Sequence, residues 1–357
     1  MITQSIVYTL VFVSAKTRFI IPLRFLLQPK MLTLILLSLV FAAILAIFAK
    51  FATADGDFTL MSKGHPKREE IEDKVVWITG ASRGIGEILA KQFAKLGAKL
   101  IISARNEAEL ERVKAELVGK HAPGEVQILP LDLASDEDSL RVEVQKAESF
   151  FSGAGVDYMI HNAAHERPKM TALDVTEEAL WATFKINVLG TITLTRLLTP
   201  FMLKRRKGHF VVMSSAAGKT PAPGQAVYSA SKYAVNGYFH TLRSELFQKG
   251  IKVTVVCPGP IETSNGSGAS SSEQKRTEKR LTSERCAELT IIAATHGLKE
   301  VWISNQPVLA VMYLVQYMPT IGYWLMDKIG GNRVEAAAKK GNTYGWGLLF
   351  GQKKKSQ

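Results

Sequence analysis

Between the apolar run KVVWITG (Lys74–Gly80) and a stretch in which Ile85, Ile88, Leu89, Phe93 and Leu96 recur at helical spacing lies TGASRGIG, Thr79–Gly86. A buried strand that ends in glycine, turns tightly and re-enters as a helix is the opening of a βαβ unit. Few other folds begin this way. The alternation continues downstream. KLIISA (Lys99–Ala104) reads as strand two, and Glu107–Val118 as a charged amphipathic helix. VQILPLDL (Val126–Leu133) reads as strand three and DYMIHNAA (Asp157–Ala164) as strand four. A long helix follows over roughly Glu177–Leu203, then strand five at Gly208–Ser215, a helix at Ala226–Gln248 and a last strand at Ile251–Pro260. Apolar strands interleaved with helices predict an α/β fold, a Rossmann-like doubly wound parallel sheet.

With 357 residues the chain suits one large α/β domain with extensions. Its 45 Lys+Arg against 32 Asp+Glu give a formal charge of +13. The excess is spread in small clusters, with no arginine-rich helix or zinc spacing, which argues for a solvated or membrane-facing surface and against nucleic acid as a partner. Two isolated thiols, Cys257 and Cys286, make neither a disulfide framework nor a metal centre.

An anchor precedes this domain. Met31–Ala49 carries no charge between Lys30 and Lys50 and is long enough to cross a bilayer as one helix. Its length favours a retained single-pass anchor over a cleaved signal peptide, although Ala52 and Ala54 keep cleavage as the alternative. The division expected is 1–30 as an N-terminal extension, 31–49 as the anchor, 50–73 as a linker, 74–305 as the Rossmann-type domain and 306–357 as apolar helices with a basic tail. Within 1–30 lies a second apolar patch, Ile6–Val13, and translation starting at Met31 is the other reading. Positive charge after the anchor favours a cytosolic main domain. The end, Lys354-Lys355-Ser356-Gln357, is similar to a di-lysine endoplasmic-reticulum retrieval signal, an address read on the cytosolic side, or is simply a solvated tail.

The glycine loop has the spacing G-xxx-G-x-G, neither a Walker loop nor GxGxxG. Gly80, Gly84 and Gly86 permit the tight turn and close backbone approach, while the N–H groups around Ser82, Arg83 and Ile85 open a helix N-terminus toward a pyrophosphate. The end of strand two selects the dinucleotide. A carboxylate there would hold a free ribose 2′-hydroxyl, but the run is SARN, with Arg105 and no acid. Arg83 and Arg105 suit a 2′-phosphate, so NADP(H) is favoured over NAD(H).

The helix beginning at Ala226 places Tyr228 and Lys232 at i and i+4, on one face. A phenol ionises near pH 10 and is a poor acid–base group at neutrality. An ammonium one turn away, together with a positive nicotinamide ring, favours a phenolate. Ser215, at the end of strand five, can hydrogen-bond the substrate oxygen that the tyrosine serves, and Asn187 can bind the water that links Lys232 to solvent.

Taken in order, TGASRGIG, the LDL of strand three with Asp132, HNAA, Asn187, Ser215, YSASK and PGPIET resemble the signature of the single-domain short-chain dehydrogenase/reductases, over about Lys74 to Val301. The resemblance implies Asn187, Ser215, Tyr228 and Lys232 as the catalytic set, with Lys232 also on the nicotinamide ribose. It places Asp132 and Asn162 on the adenosine side, Pro258, Gly259 and Thr263 at the nicotinamide end, and homodimers through the two long helices. The chain departs from the usual Asn-Asn-Ala-Gly at His161-Asn162-Ala163-Ala164, where His161 reads as a strand-end hydrogen-bonding group. The anchor followed by ADGDFTL, with LKEVWISNQP and QYMPT, is similar to the membrane-bound member 7 group of that family, which implies an endoplasmic-reticulum enzyme acting on lipophilic carbonyls or alcohols such as steroids and retinoids.

Two further segments bear on the substrate. Residues 264–299 take the place of the family's substrate-covering segment, and their first part, SNGSGASSSEQKRTEKR, is polar enough to be mobile without ligand. Val301–Met326 has no charge, and Pro307 and Pro319 interrupt it, which predicts a helix pair beside the site, in contact with the membrane surface or simply buried. A nucleotide-binding membrane scaffold without turnover is the reading from another class.

Overall fold

The computed structural model describes residues 9–14, 17–22, 29–165, 171–262 and 280–338. Thr263, the Ser/Gly-rich stretch after it and the C-terminal lysine pair lie outside these residues. The chain divides into two units, Met1–Thr53 and Ala54–Gln357.

In the first unit, Thr9–Ser14 pairs antiparallel with Thr17–Pro22, a hairpin that the apolar patch in the sequence did not disclose. A helix over Pro29–Thr53 follows. Its 25 residues span about 37 Å at 1.5 Å each, longer than a bilayer's ~30 Å hydrocarbon core. None of its side chains is buried. A helix whose run between Lys30 and Lys50 carries no charge and whose leucines there are all exposed needs an apolar medium around it.

In the second unit seven strands form one parallel sheet: β1 Val75–Thr79, β2 Lys99–Ser103, β3 Gln127–Ile128, β4 Tyr158–His161, β5 Gly208–Met213, β6 Ile251–Pro258 and β7 Glu300–Ile303, in the order β7-β6-β5-β4-β1-β2-β3. Between them run α1 Gly84–Lys95, α2 Glu107–Glu116, α3 Glu137–Gly153, α4 Glu177–Arg205, α5 Ala226–Leu246 and α6 Ser283–Thr295; after β7 come α7 Val308–Tyr317 and α8 Pro319–Ala338. Helices cover both faces, so β1 and β5 are buried at every position and read as unbroken apolar runs. Trp77, fully buried in β1, spends its one polar atom on Ser103 Oγ at 2.8 Å.

Strand three is shorter than its apolar run suggests. The bonds to β2 nevertheless run on past it, Leu129 N to Ile102 O and Leu131 N to Ala104 O, both 3.0 Å, and Pro130 falls between these donors, where an edge strand needs no N–H. The long helix is interrupted by a π turn, Lys185–Gly190. A Cβ on Gly190 would overlap the Leu133 carbonyl, so the helix approaches the sheet's carboxyl edge closely there. The stretch Asp55–Asp73 reads as a polar linker, yet its start is built into the domain. Asp57 N donates to Trp302 O at 2.9 Å, and Asp57 Oδ2 accepts from Trp302 N at 2.7 Å. The helix pair expected between Pro307 and Met326 is α7 and α8, parted at Met318.

Two buried histidines give the fold a pH dependence. His161 meets Thr195 Oγ1 at 2.8 Å and His209 meets Thr254 Oγ1 at 2.8 Å. Each hydroxyl donates its one hydrogen to a backbone carbonyl, so it accepts from the imidazole Nε2–H, and both rings are held neutral. Burial lowers both to about 3 from the ordinary 6.5. As pH falls below about 6.5 the unfolded chain takes up protons that the fold refuses, so stability is full above that value and declines toward pH 3. The urea midpoint of the full chain in detergent should therefore be lower at about pH 5 than at about pH 7.5; equal midpoints would contradict the neutral, buried assignment.

Candidate active site

The glycine loop leaves the carboxyl end of β1 beside β4, where the strand order reverses, and in open α/β sheets that crevice takes the ligand. Its glycines serve different needs. Gly80 and Gly84 have φ of +68° and +58°, where side chains are strained. Gly86 has no such angle, but a Cβ there would overlap the Gly80 carbonyl oxygen and reach Asn162 Nδ2 at 2.5 Å. The loop thus folds back on the first turn of α1 and leaves the N–H groups from Gly84 onward facing the crevice mouth. Asn162, just past β4, pins it by donating from Nδ2 to the carbonyls of Thr79 and Gly80, each at 3.1 Å. Thr79 Oγ1 accepts from the Asn162 and Ala163 N–H groups at 3.1 and 3.2 Å. A cradle that a methyl would fill, over a helix N-terminus, fits a pyrophosphate.

Around it, Ser82 and Ile85 are half-buried, and Arg83 and Arg105 are exposed. Neither arginine pairs with a carboxylate among the described residues. Asp132 is exposed past β3, its Oδ1 accepting from Ala134 N at 2.9 Å. Arg112 on α2, which sequence reasoning missed, is already committed. It donates to Ser82 O at 3.1 Å and to Glu87 at 3.0 Å, and its charge is shared with Glu109 and Glu116. The i+3 and i+4 partners on α2 were legible in the sequence; the reach to the loop was not. A cleft of about 300 Å³ flanks the loop, lined by Gly84, Glu87, Ile88, Glu262, Thr282 and Ser283 among others. It includes none of the four candidate catalytic residues.

Those four gather at the carboxyl ends of β5 and β6. Lys232 is buried, its Nζ donating to Met213 O at 2.8 Å and lying 5.6 Å from the Tyr228 ring centroid. Tyr228 is buried with Ala217 and Ala222. Ser215 caps the short turn Ala216–Gly218, its Oγ accepting from Ala217 N at 3.1 Å and standing 3.5 Å from Pro258 O. Asn187 lies in the π turn of α4, a local form often found at functional sites. Its Oδ1 accepts from His165 N at 2.7 Å, and its Nδ2 donates to Ser231 Oγ at 3.2 Å, which in turn donates to Tyr228 O at 2.7 Å. One chain of contacts therefore joins Asn187, the first turn of α5 and the end of β5. Gly259 follows β6 with its N–H on Ile303 O at 2.8 Å, and a Cβ there would overlap Ser304 Oγ. His161 lies deeper, its ring stacked on Phe210 at 6.0 Å.

Behind Ser215 a second polar cluster ties the turn to β7. Glu300 accepts from Lys219 Nζ at 2.7 Å, from Trp302 Nε1 at 2.6 Å and from His240 at 2.5 Å. Burial alone would raise its carboxyl, but these donors hold it at about 2.

Comparison with known proteins identifies the family. The chain belongs to the short-chain dehydrogenases/reductases: the family model described as short chain dehydrogenase matches residues 74–274. It is accordingly an oxidoreductase by family. Among its relatives is dehydrogenase/reductase SDR family member 7 of Homo sapiens, 37% identical over 321 residues that cover 85% of this chain and 93% of that protein. The protein of the same name from Mus musculus is 36% identical over 302 residues, 80% of this chain and 87% of its own length. A metagenomic short-chain oxidoreductase solved in complex with NADP aligns at a TM-score of 0.55 and 26% identity, covering 66% of this chain and 97% of that one. L-Sorbose reductase from Gluconobacter frateurii, complexed with NADPH and L-sorbose, aligns at 0.58 with 24% identity, 66% and 96% coverage, a likeness of fold.

Proposed function

We propose that the protein is an NADP(H)-dependent carbonyl reductase or alcohol dehydrogenase for lipophilic substrates, held at the endoplasmic-reticulum membrane by the helix Pro29–Thr53 with its main domain in the cytosol. The observation that carries it is the convergence of Ser215, Tyr228 and Lys232 beside a glycine cradle at the strand-order reversal. A bound nicotinamide cofactor supplies or accepts the hydride. Ser215 Oγ, already oriented by Ala217 N, holds the substrate oxygen. Tyr228 gives that oxygen its proton, or takes it in the reverse direction. Lys232 stabilises the phenolate by its charge and holds the ribose, and Asn187 orders the water that returns the proton to solvent.

NADP(H) is supported by Arg83 and Arg105, which pair with no carboxylate among the described residues, and by the NADP-bound neighbour. A lipophilic substrate is supported by α7, whose Gln316 Nε2 donates at 2.7 Å to the carbonyl of Lys219, four residues beyond Ser215, and by the exposed aromatic residues that α7 and α8 carry. Membrane anchoring rests on the N-terminal helix, uncharged between Lys30 and Lys50 and with no buried side chain, and the endoplasmic reticulum on the resemblance to the membrane-bound member 7 group.

The test is cofactor oxidation by the detergent-purified full chain against lipophilic ketones, aldehydes and quinones. NADPH should be turned over in preference to NADH. Replacing both Arg83 and Arg105 by Ala should weaken NADPH by about 10-fold or more per lost charged contact and leave NADH nearly unchanged. Tight cofactor binding with no turnover on any compound would instead favour the scaffold.

A further inference from the structure

The last exposed feature of the domain is a face with no described partner. On the turn between α7 and α8 and along the first turns of α8, Tyr317, Met318, Pro319, Ile321, Tyr323 and Trp324 are all exposed, Tyr317 at 73% and Trp324 at 55%. No charge interrupts them; just beyond lie Asp327 and Lys328, and Lys328 lays its Nζ 3.9 Å from the Trp324 ring centroid. Side chains of this size seldom stand together in water, and Trp and Tyr beside a Lys are the residues that favour a bilayer interface.

The junction with the N-terminal helix says what covers this face. Ala54 alone separates Thr53, the end of that helix, from Asp55. Asp55 is fixed to the domain: its carboxylate accepts from Arg285 Nε at 2.8 Å, and its carbonyl from Ser304 N at 3.0 Å. Asp57 is fixed by both backbone bonds to Trp302, and Phe58 N donates to Tyr313 Oη at 3.1 Å. Phe58 meets the Tyr313 ring edge-on at 5.8 Å, and Tyr313 stacks on Tyr317 at 6.0 Å. Two peptide steps reach at most about 7 Å, and Tyr313 to Tyr317 is one helical turn, about 6 Å. By chain length alone, a lipid-spanning helix that ends at Thr53 keeps the domain's attachment at Asp55 within two peptide steps of that helix.

We infer that the Tyr317–Trp324 face docks on the lipid bilayer that the N-terminal helix crosses. This deepens the anchored reading and rests on it. The occupant is lipid, and docking there would hold the Ser215–Lys219 side of the domain toward the source of an apolar substrate.

Both native cysteines are fully buried, so a single added thiol can be labelled selectively. The full chain, with Ile321→Cys carrying an environment-sensitive NBD group, would be reconstituted in phosphatidylcholine vesicles with or without lipid spin-labelled near the headgroup. Val118→Cys, 70% exposed just past α2 near the opposite edge of the sheet, is the comparison site. The label at 321 should shift to the blue and be quenched by about threefold or more, that at 118 hardly at all. Identical, water-like behaviour at both positions overturns the inference. So does a label at 321 that is shielded from water but untouched by spin-labelled lipid, which would mean a second copy or another protein covers the face. Alkaline carbonate extraction of the vesicles reads the anchor separately. If the chain is stripped, the anchor reading fails. The same label read with vesicles added to the free chain then decides docking: quenching supports it, and no quenching overturns it.

Discussion

Replacing Tyr228 with Phe should lower turnover by about 10²–10⁴-fold and leave NADPH binding close to that of the wild type. The ring that packs on Ala217 and Ala222 remains, so the fold loses no apolar contact. Only the hydroxyl that would exchange a proton with the substrate oxygen goes. The measurement is single-turnover NADPH oxidation at saturating cofactor, with binding followed independently through nicotinamide fluorescence. Full activity in the variant would remove Tyr228 from the chemistry and leave Ser215 and Lys232 as a structural cluster. A loss of binding along with activity would mean that the tyrosine serves the cofactor and not the proton.

The second large effect is expected at Gly86. Its methyl in Gly86→Ala has nowhere to go, because the Gly80 carbonyl and the Asn162 amide occupy the space. Either α1 moves away from the loop or the loop opens, at a cost of about 1–3 kcal/mol of stability. A shift of about 1 Å in the N–H groups facing the pyrophosphate should weaken NADPH binding by about 100-fold. Thermal unfolding without and with NADPH separates the two consequences. A modest fall in the midpoint, combined with loss of most of the shift that cofactor produces, is the expected pattern. An undiminished cofactor shift would show that the dinucleotide does not use this turn.

The fold's outline could be read from the sequence because parallel strands buried on both faces are continuous apolar runs, and glycine, proline and helical spacing punctuate them. Lys74–Gly80 to β1 and Ala226–Gln248 to α5 are close correspondences. The errors fell where a tertiary contact overrode the local pattern. Strand three is regular only over Gln127–Ile128, although its bonds to β2 run on to Leu131, and the approach of Gly190 to Leu133 accompanies the π turn that the helical pattern of α4 hid. Asp55–Asp73 is polar and looks like a tether, since nothing local reveals that Trp302, far along the chain, offers both its backbone groups to Asp57.

The candidate site divides in the same way. The residue types and their spacing fixed which side chains deserved notice: the three loop glycines, Arg83, Arg105, Asn162, Ser215, Tyr228 and Lys232. Spacing along one helix put Tyr228 and Lys232 on one face, because i and i+4 neighbours are a property of the helix itself. What spacing cannot encode is contact between separate elements. That Lys232 reaches Met213, that Asn187 meets the α5 backbone through Ser231, and that Arg112 holds Ser82 all depend on how sheet and helices pack. The same holds for the face at Tyr317–Trp324. Its lack of charge was written in the sequence, but its exposure, and its place one helical turn from the residue that receives Phe58, exist only once β7 has brought Asp57 and α7 together.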